Sequence, residues 1–282
     1  MSDIRVLFVG DSLHEEFQLA LQWLGKHANL EVVFDLQSAR KHLETNGGLE
    51  DLLVLGATRP GQFSVEDIDA LRNASPLLRI VAILGSWCEG ELRSGQPWPG
   101  VFRTYWHQWP ARLALEFKAF LQGSCPQWGD AVTTTPTEQL LQRENFHCNN
   151  TLRLVVIRAE DWETVGALQD ACQQAGYATA CWVDGEPPRV TGAHVFLWDL
   201  ADPERVTRNQ VQEYLRVFHP TPIIVLASFP RHQTVQRLTA AGISGVVSKP
   251  FLLHDVQWLL EQSGIEAERG TVARQRNKLP CS

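Results

Sequence analysis

Two charged residues lie near the carboxyl ends of predicted β-strands. Asp199 follows the apolar residues of the run VFLWDL, and Lys249 lies two residues after the run Val246-Val247 and directly before Pro250. A carboxylate in such a place can act as a nucleophile in group transfer, and a neighbouring ammonium group can offset charge on the transferred oxygens. Their spacing predicts a salt bridge. The alternative for Asp199 is a local role as the cap of the following turn.

The segment from Pro222 to Phe251 contains the elements that must position the lysine. Its β-branched run Ile223–Leu226 predicts a buried strand, and a helix follows in which the apolar residues recur at helical spacing: Val235, Leu238 and Ala241. Gly242 ends this helix, and a second short strand follows. The pattern is therefore strand, helix, strand, with the lysine at the carboxyl end of the second strand.

This segment resembles the receiver domain of bacterial two-component response regulators. The last third of that domain reads P-I-I-x-L-(S/T)-A, then A-x-x-A-G-A-x-x-Y-x-x-K-P-F. The resemblance covers Leu152 to about Ser263 and depends on several features in order rather than on one short motif. It implies a flavodoxin-like (CheY-like) fold, which is a doubly wound five-stranded parallel sheet.

The resemblance also implies roles for single residues. Asp199 stands where the family has its phospho-accepting aspartate, and Lys249 where the family has the lysine that pairs with the phosphoryl group. A Ser or Thr hydroxyl that follows the phosphoryl group is expected at Ala227, and Ser228 is the adjacent hydroxyl. We therefore take Asp199, Lys249 and Ser228 as candidate site residues.

The acidic pair that holds Mg²⁺ in the family is displaced. Its positions fall on Arg158-Ala159, and the acidic residues Glu160 and Asp161 come two positions later. Because Mg²⁺ demands near-octahedral oxygen ligands at ~2.0–2.1 Å, this displacement argues against a regular site. If Mg²⁺ binds, the resemblance assigns it to Glu160, Asp161 and Asp199; alternatively, Arg158 occupies the space of the metal. Three other potential ligands lack metal-site spacing and are expected to be incidental: His107, His147 and Cys148.

The first half of the chain repeats the pattern without these groups. After the strand Asp51–Leu55, the residues GATRPG resemble the third strand of a receiver, D-L-V-L-L-D-x-x-M-P-G, with Gly56 in place of the acceptor aspartate. By position, Trp109 before Pro110 replaces the lysine. The resemblance implies a unit that has lost both groups. Asp11 is then either a relic of the acidic pair or a helix cap.

Short apolar runs alternate with amphipathic segments, which predicts two parallel sheets in tandem, each with strand order 2-1-3-4-5 and helices on both faces. The remaining predicted strands are Arg5–Val9, Glu31–Phe34, Arg79–Leu84, Val101–Trp106, Leu152–Ile157, Tyr177–Val183 and Ala193–Trp198. The remaining predicted helices are Leu13–His27, Ser38–Glu44, Val65–Asn73, Ala111–Leu121, Trp162–Ala175, Pro203–Phe218 and Leu253–Gln262. Two crossovers lack a helix: Gly and Pro interrupt residues 86–100, and the segment DGEPPRVTG is too short.

The length of 282 residues suits two such units. We expect receiver-like domains at 1–123 and 151–264, a linker at 124–150 and a mobile tail at 265–282. The net charge of -7 provides no general surface for nucleic acid. No stretch approaches the ~20 apolar residues of a membrane span. Six cysteines without C-x-x-C spacing predict reduced thiols and a cytoplasmic protein.

Tryptophan is concentrated in one region. Five of the ten tryptophans lie between Trp87 and Trp128, with arginines interleaved. Trp, Tyr and Arg dominate interface hot spots, and in receivers this region forms the output and dimerisation face. The rings either bind a protein partner or a second copy of the chain, or fill the volume of the missing helix. Stacking on nucleic acid is a third alternative, which the low basicity of the domain disfavours. We expect the amino-terminal unit to be the partner-binding half, with Trp98 and Trp106 as the residues to test.

These features imply a cytoplasmic two-component or phosphorelay signalling protein of the response-regulator type, without a separate output domain. It would act through protein contacts, with a histidine kinase or phosphotransfer protein as candidate partner. Self-phosphorylation of Asp199 would be its only enzymatic activity. The alternative is a phosphorylation-independent adaptor built from pseudo-receivers. A flavin- or nucleotide-binding enzyme is less favoured, because no G-x-G-x-x-G or Walker A loop follows a strand.

Overall fold

The computed structural model describes residues 4–91, 98–124, 126–129 and 153–249, together with Phe251, Val256, Leu259 and Leu260. The chain divides into two compact units, Met1–Leu141 and Gln142–Ser282. Most of the predicted linker and the whole predicted tail lie outside the described residues, so the domain boundaries stay a prediction. Of the predicted last helix, three described residues are helical and buried: Val256, Leu259 and Leu260.

The amino-terminal unit contains one five-stranded sheet. Its strands are β1 (Arg5–Val9), β2 (Asn29–Val33), β3 (Leu52–Ala57), β4 (Arg79–Leu84) and β5 (Val101–Tyr105), in the order β2-β1-β3-β4-β5. Its helices are α1 (Gln18–His27), α2 (Leu36–Thr45), α3 (Val65–Ala74) and α4 (Trp109–Leu121). Three short 3-10 helices are added at Glu15–Phe17, Ser86–Cys88 and Gln127–Gly129.

The carboxy-terminal unit repeats this topology. Its strands are β6 (Leu154–Arg158), β7 (Ala178–Trp182), β8 (Val195–Leu200), β9 (Ile223–Ser228) and β10 (Gly245–Lys249), in the order β7-β6-β8-β9-β10. Its helices are α5 (Trp162–Gln174), α6 (Arg208–Val217) and α7 (His232–Ala241). All strand pairs in both sheets are parallel. The predicted fold class, two flavodoxin-like units in tandem, is therefore confirmed.

Local sequence signals explain where the elements begin and end. The central strands β3 and β8 are buried along their whole length, as their continuous apolar runs predict for a sheet covered on both faces. Helix α3 begins with a capping box between Ser64 and Asp67, and α6 begins with one between Thr207 and Gln210. Helix α7 ends at Gly242, whose φ of 110° is a left-handed conformation that favours glycine. Within the described residues, no helix is long and apolar enough to cross a membrane.

Of the two predicted interruptions of the helical layers, the one between β7 and β8 is present. Residues 183–194 there form bends and irregular backbone without a helix. The Gly- and Pro-rich composition of this segment accounts for this result. After β4, the 3-10 helix Ser86–Cys88 is followed by a turn and by Glu91, which is helical, and residues 92–97 lie outside the described residues. The interruption expected over residues 86–100 therefore stays a prediction.

Large aromatic side chains cover the carboxy-terminal sheet from β7 to β8, beside the crossover that lacks a helix. Trp182 stacks on Phe196 with ring centroids 5.4 Å apart, and Phe196 lies 4.6 Å from Phe218. On the same side, Trp198 meets Tyr214 of α6 edge to face at 4.8 Å. Such contacts add to the free energy of burial. This cluster therefore supplies apolar volume that a second helix would otherwise provide.

Truncating Trp182 to Ala should lower the free energy of unfolding of the carboxy-terminal unit by ~3–5 kcal/mol, because a buried ring is lost and a cavity remains. Trp162, which is 67% exposed at the start of α5, provides the matched control, and its change to Ala should stay within ~0.5 kcal/mol. Urea unfolding followed by circular dichroism measures both changes. Equal effects of the two substitutions would contradict the role of the aromatic cluster.

Candidate functional site

Asp199 and Lys249 meet at the carboxyl edge of the carboxy-terminal sheet. Asp199 is the next-to-last residue of β8, Lys249 is the last residue of β10, and β9 lies between them. The lysine Nζ donates hydrogen bonds to Asp199 Oδ1 at 2.7 Å and to the carbonyl oxygen of Leu200 at 2.9 Å. The predicted salt bridge is therefore present, whereas the phosphoacceptor role of Asp199 stays a prediction.

The strand register explains how these groups come together. Asp199 is opposite Leu226 on β9, and Lys249 is opposite Ser228. The lysine side chain therefore crosses the end of β9 to reach the aspartate. Ser228 is half-buried at that same strand end, next to the backbone of the lysine. The structure thus brings the three candidate residues to one edge of the sheet.

Burial dominates the electrostatics of Asp199. Its side chain is only 6% exposed, and this desolvation raises its pKa above the ordinary value. The hydrogen bond and the positive charge of Lys249 act in the opposite direction, and the negative charges of Asp161 and Glu160 raise the pKa further. The lysine therefore offsets the cost of burying the carboxylate only in part.

Asp161 stabilises the first turn of helix α5. As the N-cap of α5, it accepts a hydrogen bond from the Thr164 N–H at 2.7 Å through Oδ1 and one from the Thr164 hydroxyl at 2.9 Å through Oδ2. These bonds lower the pKa of Asp161. Both of its carboxylate oxygens are therefore engaged in capping the helix.

The acidic residues do not fit a magnesium ion as they are placed. Asp161 caps α5, Asp199 binds Lys249, and Glu160 is exposed. Among the described residues, no group of three or more His, Cys, Asp or Glu side chains is arranged to hold a metal ion. We therefore derive no chemical step that requires a metal at Glu160, Asp161 and Asp199.

Arg158 does not occupy the space expected for a metal, so that interpretation is wrong. Its guanidinium lies 5.8 Å from the ring centroid of Trp198 and 5.4 Å from that of Tyr214, and it donates a hydrogen bond to the Tyr214 hydroxyl. Arg158 is paired with Trp198 in the sheet, and successive residues of a strand point to opposite faces. Its side chain is therefore on the face opposite to Asp199.

The pairing register also corrects the residue that replaces the lysine in the amino-terminal unit. Followed across the strands, Gly56 corresponds to Asp199, and Trp106 corresponds to Lys249. Trp106 comes 50 residues after Gly56, as Lys249 comes 50 after Asp199. The assignment to Trp109 is wrong, because a three-residue turn separates β5 from α4 and Trp109 is the first residue of that helix. The replacing residue is still a tryptophan, so the cation is absent as expected.

The place of the acceptor carboxylate is filled in the amino-terminal unit. A Cβ atom added to Gly56 would lie 2.7 Å from Phe8 Cζ and 2.9 Å from Phe17 Cε2. These distances are too short for any side chain at this position without a shift of the rings. The absence of an aspartate at Gly56 is therefore part of the packing of this unit.

Four of the five clustered tryptophans belong to the interior or pack against it. Three are buried: Trp106, Trp109 and Trp128. Trp98 is half-buried, packs on the Phe63 ring and donates a hydrogen bond to the Phe63 carbonyl at 3.1 Å. Of the two alternatives for Trp106, a partner interface or the interior, the structure supports the interior, since the residue is 3% exposed. Trp87, in contrast, is 79% exposed.

The sequence pattern does not reveal two buried carboxylates in the amino-terminal unit. Oε1 of Glu89 lies 3.6 Å from Nε2 of His107, and both side chains are almost fully buried. The prediction that His107 is an incidental polar residue is therefore wrong. Glu16 accepts a hydrogen bond from the backbone N–H of Ser86 at 2.9 Å. The sequence signal for the contact between Glu16 and Ser86 is Gly85, because a residue without a Cβ atom leaves space for the carboxylate beside the backbone.

The raised pKa of Asp199 makes the stability of the carboxy-terminal unit depend on pH. The folded state holds this proton more tightly than the unfolded chain, so the free energy of unfolding falls as the pH rises from the ordinary value of 3.8 through the raised pKa. Asp199→Asn lacks this effect, and each unit of pKa shift corresponds to ~1.4 kcal/mol. Urea unfolding of both proteins between pH ~3 and ~7 measures the difference.

Asp161→Asn is the matched control, because Asn keeps the helix cap. The Asp161 pKa is lowered, so the wild type should gain stability relative to this variant as the pH rises, which is the opposite sign. Parallel curves for the wild type and Asp199→Asn would contradict the effect of burial on Asp199.

Comparisons with known proteins follow the fold. No family model matches the chain, and no curated protein matches it. Full-length FixJ from B. japonicum is 15% identical over 43% of this chain and 61% of its own, with a TM-score of 0.37. A probable two-component system response regulator/GGDEF domain protein is 13% identical over 94% of this chain and 100% of its own, with a TM-score of 0.39. The E. coli RcsC C-terminus, with its linker region and phosphoreceiver domain, is 15% identical over 96% of this chain and 95% of its own, with a TM-score of 0.33.

The match to FixJ therefore covers less than two thirds of that protein. Identities this low and TM-scores under 0.5 carry no argument about function. The similar structures include response regulators and a phosphoreceiver domain. The fold class itself is fixed by the strand order in each sheet, which is that of the flavodoxin-like fold.

Proposed function

We propose that this chain is a signalling protein of the response-regulator type, which acts through protein contacts and carries one candidate phosphoacceptor, Asp199. The observation that supports the proposal is the Asp199–Lys249 pair at the carboxyl edge of its sheet. Asp199 is on β8, beside β6, where the strand order reverses. Open α/β sheets bind their ligands in the crevice at this point.

The chemistry assigned to the pair is nucleophilic attack by the carboxylate on a phosphoryl group. Lys249 binds Oδ1, so we assign the attack to Oδ2 of Asp199. The ammonium group then stands where negative charge develops on the transferred oxygens. Ser228, which is paired with Lys249 at the end of the neighbouring strand, supplies the candidate hydroxyl. A histidine kinase or a phosphotransfer protein is the class of partner that would donate the group. Its phosphohistidine P–N bond would break as the P–O bond to Oδ2 forms, and the histidine side chain would be the leaving group.

A second candidate is an adaptor that works without phosphorylation. It is favoured by the use of Asp161 as a helix cap, which leaves the site without a placed acidic pair. It is also favoured by the amino-terminal unit, in which Gly56 and Trp106 replace the acceptor and the lysine. In this case the Asp199–Lys249 pair would hold the edge of the sheet and would not react.

Incubation with acetyl phosphate and Mg²⁺, followed by intact-mass analysis, separates these candidates. We expect an increase of at most one phosphoryl group, which peptide mapping places on Asp199 and nowhere in residues 1–123. Asp199→Asn should remove the adduct because the nucleophile is gone. Asp161→Asn keeps the cap and should leave the adduct unchanged if Asp161 holds no metal.

The control variants decide between phosphorylation of Asp199 and an adaptor that is not phosphorylated. An adduct that survives in Asp199→Asn would show that the site is misassigned, whereas an unmodified wild type would favour the adaptor. The same proteins test the metal, because a ligand at 100 times its dissociation constant stabilises the folded state by ~2.7 kcal/mol. We expect no melting shift with low-millimolar Mg²⁺; a shift that disappears in Asp199→Asn would overturn this expectation.

Trp87 is the residue through which the amino-terminal unit is proposed to bind a protein partner. It is 79% exposed, whereas the neighbouring Cys88 is buried and the Ser86 N–H is bonded to Glu16. Because contacts already fix the backbone of this turn, binding through the ring costs little further backbone entropy. A second copy of the chain is the partner that can be tested directly.

Trp87→Ala should weaken self-association by ~2 kcal/mol or more, as for an interface hot spot, and change the free energy of unfolding by no more than ~0.5 kcal/mol. Trp106→Ala is the contrast, since loss of this buried ring should cost ~3–5 kcal/mol of stability. Sedimentation velocity and urea unfolding give the two readouts. Unchanged association in Trp87→Ala would remove the ring from the interface between copies.

A further inference from the structure

A carboxylate from the chain itself lies at the carboxyl edge of the amino-terminal sheet. Glu16, in the 3-10 helix after β1, is only 4% exposed. Its Oε2 accepts a hydrogen bond from the Ser86 N–H, 2.9 Å away and 70 residues later in the sequence. Burying a carboxylate is costly unless its oxygens are hydrogen-bonded. The contact therefore needs surroundings that accept a negative group.

Gly85 provides the space for this carboxylate. A Cβ atom at Gly85 would lie 2.5 Å from Glu16 Oε2 and 3.3 Å from the carbonyl oxygen of Ala57. The backbone of Gly85, at φ -72° and ψ 173°, is one that any residue adopts. The glycine is thus required by the volume of the carboxylate and not by its own conformation.

A third polar group faces the same oxygen. His14 Nδ1 lies 3.9 Å from Glu16 Oε2. This nitrogen is buried and has no hydrogen-bond partner. A buried imidazole nitrogen beside a carboxylate lowers the cost of the negative charge when it carries a proton. The Ser86 N–H, the His14 imidazole and the space beside Gly85 therefore all lie around the Glu16 carboxylate.

Phe17, the residue after Glu16, closes the rest of the crevice at the carboxyl edge of this sheet. Phe17 packs above Gly56, and a Cβ atom at Gly10 would lie 2.9 Å from the Gly56 carbonyl oxygen. Gly10 directly follows β1, and Gly56 is the next-to-last residue of β3. The strand order reverses between these two strands. This is the position at which open α/β sheets take their ligands. In this unit the chain fills the position itself.

We propose that Ser86, Gly85 and His14 form a carboxylate-binding pocket in the amino-terminal unit, and that Glu16 is its permanent internal ligand. The bound carboxylate fixes the turn Ser86–Cys88 to the segment after β1 and, together with Phe17, keeps the crevice closed to external ligands. The pocket is independent of Asp199, which belongs to the other unit. Its ligand class is a small carboxylate, such as formate or acetate, once the Glu16 side chain is removed.

Chemical rescue of the full-length Glu16→Ala variant tests this proposal. We expect its melting temperature to lie at least ~4 °C below that of the wild type. Sodium formate or acetate should restore part of the loss, whereas sodium chloride at the same ionic strength should not, because only a carboxylate satisfies the pocket. Glu15→Ala, at the exposed neighbouring position, should show neither the loss nor the rescue. Equal effects of acetate on the wild type and Glu16→Ala would overturn the proposal.

A double-mutant cycle tests the proposal by a second route that does not depend on chemical rescue. In the wild type, Gly85→Ala places a methyl group where Oε2 lies and should expel the carboxylate, with a clear loss of melting temperature. In Glu16→Gly the same methyl group enters vacated space, so its cost should fall strongly. Gly25→Ala, at a position with no atom within 4 Å, controls for the effect of glycine replacement itself. Additive effects of the two substitutions would show that Glu16 and Gly85 do not share the pocket.

Discussion

The crevice at the carboxyl ends of the first and third strands is the constraint on which both units depend. In a sheet with order 2-1-3-4-5, the connections that leave the first and third strands run to opposite faces of the sheet. A gap is therefore left between the loops that follow these two strands. In the carboxy-terminal unit the gap contains Asp199, with Lys249 reaching it across β9. In the amino-terminal unit Phe17 and Glu16 occupy it. What fills the crevice determines which chemistry remains available to each unit.

The strands and helices follow from sequence because their signals are local and redundant. The buried run of β8 and the glycine after α7 each specify a boundary without knowledge of the rest of the chain. The Asp199–Lys249 contact could also be predicted, because the carboxyl ends of parallel strands lie at one edge of the sheet and a lysine side chain is long enough to cross the one strand between them. Fold class and the central pair of the site are therefore accessible from the sequence alone.

The remaining features need more than a match to short motifs. Trp109 precedes a proline, as Lys249 does, but the pairing register, in agreement with the spacing of 50 residues, makes Trp106 the counterpart of the lysine. The direction of Arg158 follows from the alternation of side chains along β6, which a motif alignment ignores. Glu16 lies inside the predicted helix Leu13–His27, and only the three-dimensional approach of Ser86 shows that its carboxylate is buried.

The two units together provide an argument about the ion pair that neither provides alone. Replacing both members of a buried ion pair by well-packed apolar groups is often neutral or stabilising, whereas removing one member is costly. The amino-terminal unit has the same strand order with Gly56 and Trp106 at the two positions, so this fold does not require the pair. Burial also raises the pKa of Asp199 despite its contact with Lys249. Burying the ionised carboxylate therefore lowers the free energy of unfolding. Stability alone therefore does not explain the Asp199–Lys249 pair, and this is a further reason to propose a chemical or signalling role for the carboxy-terminal crevice.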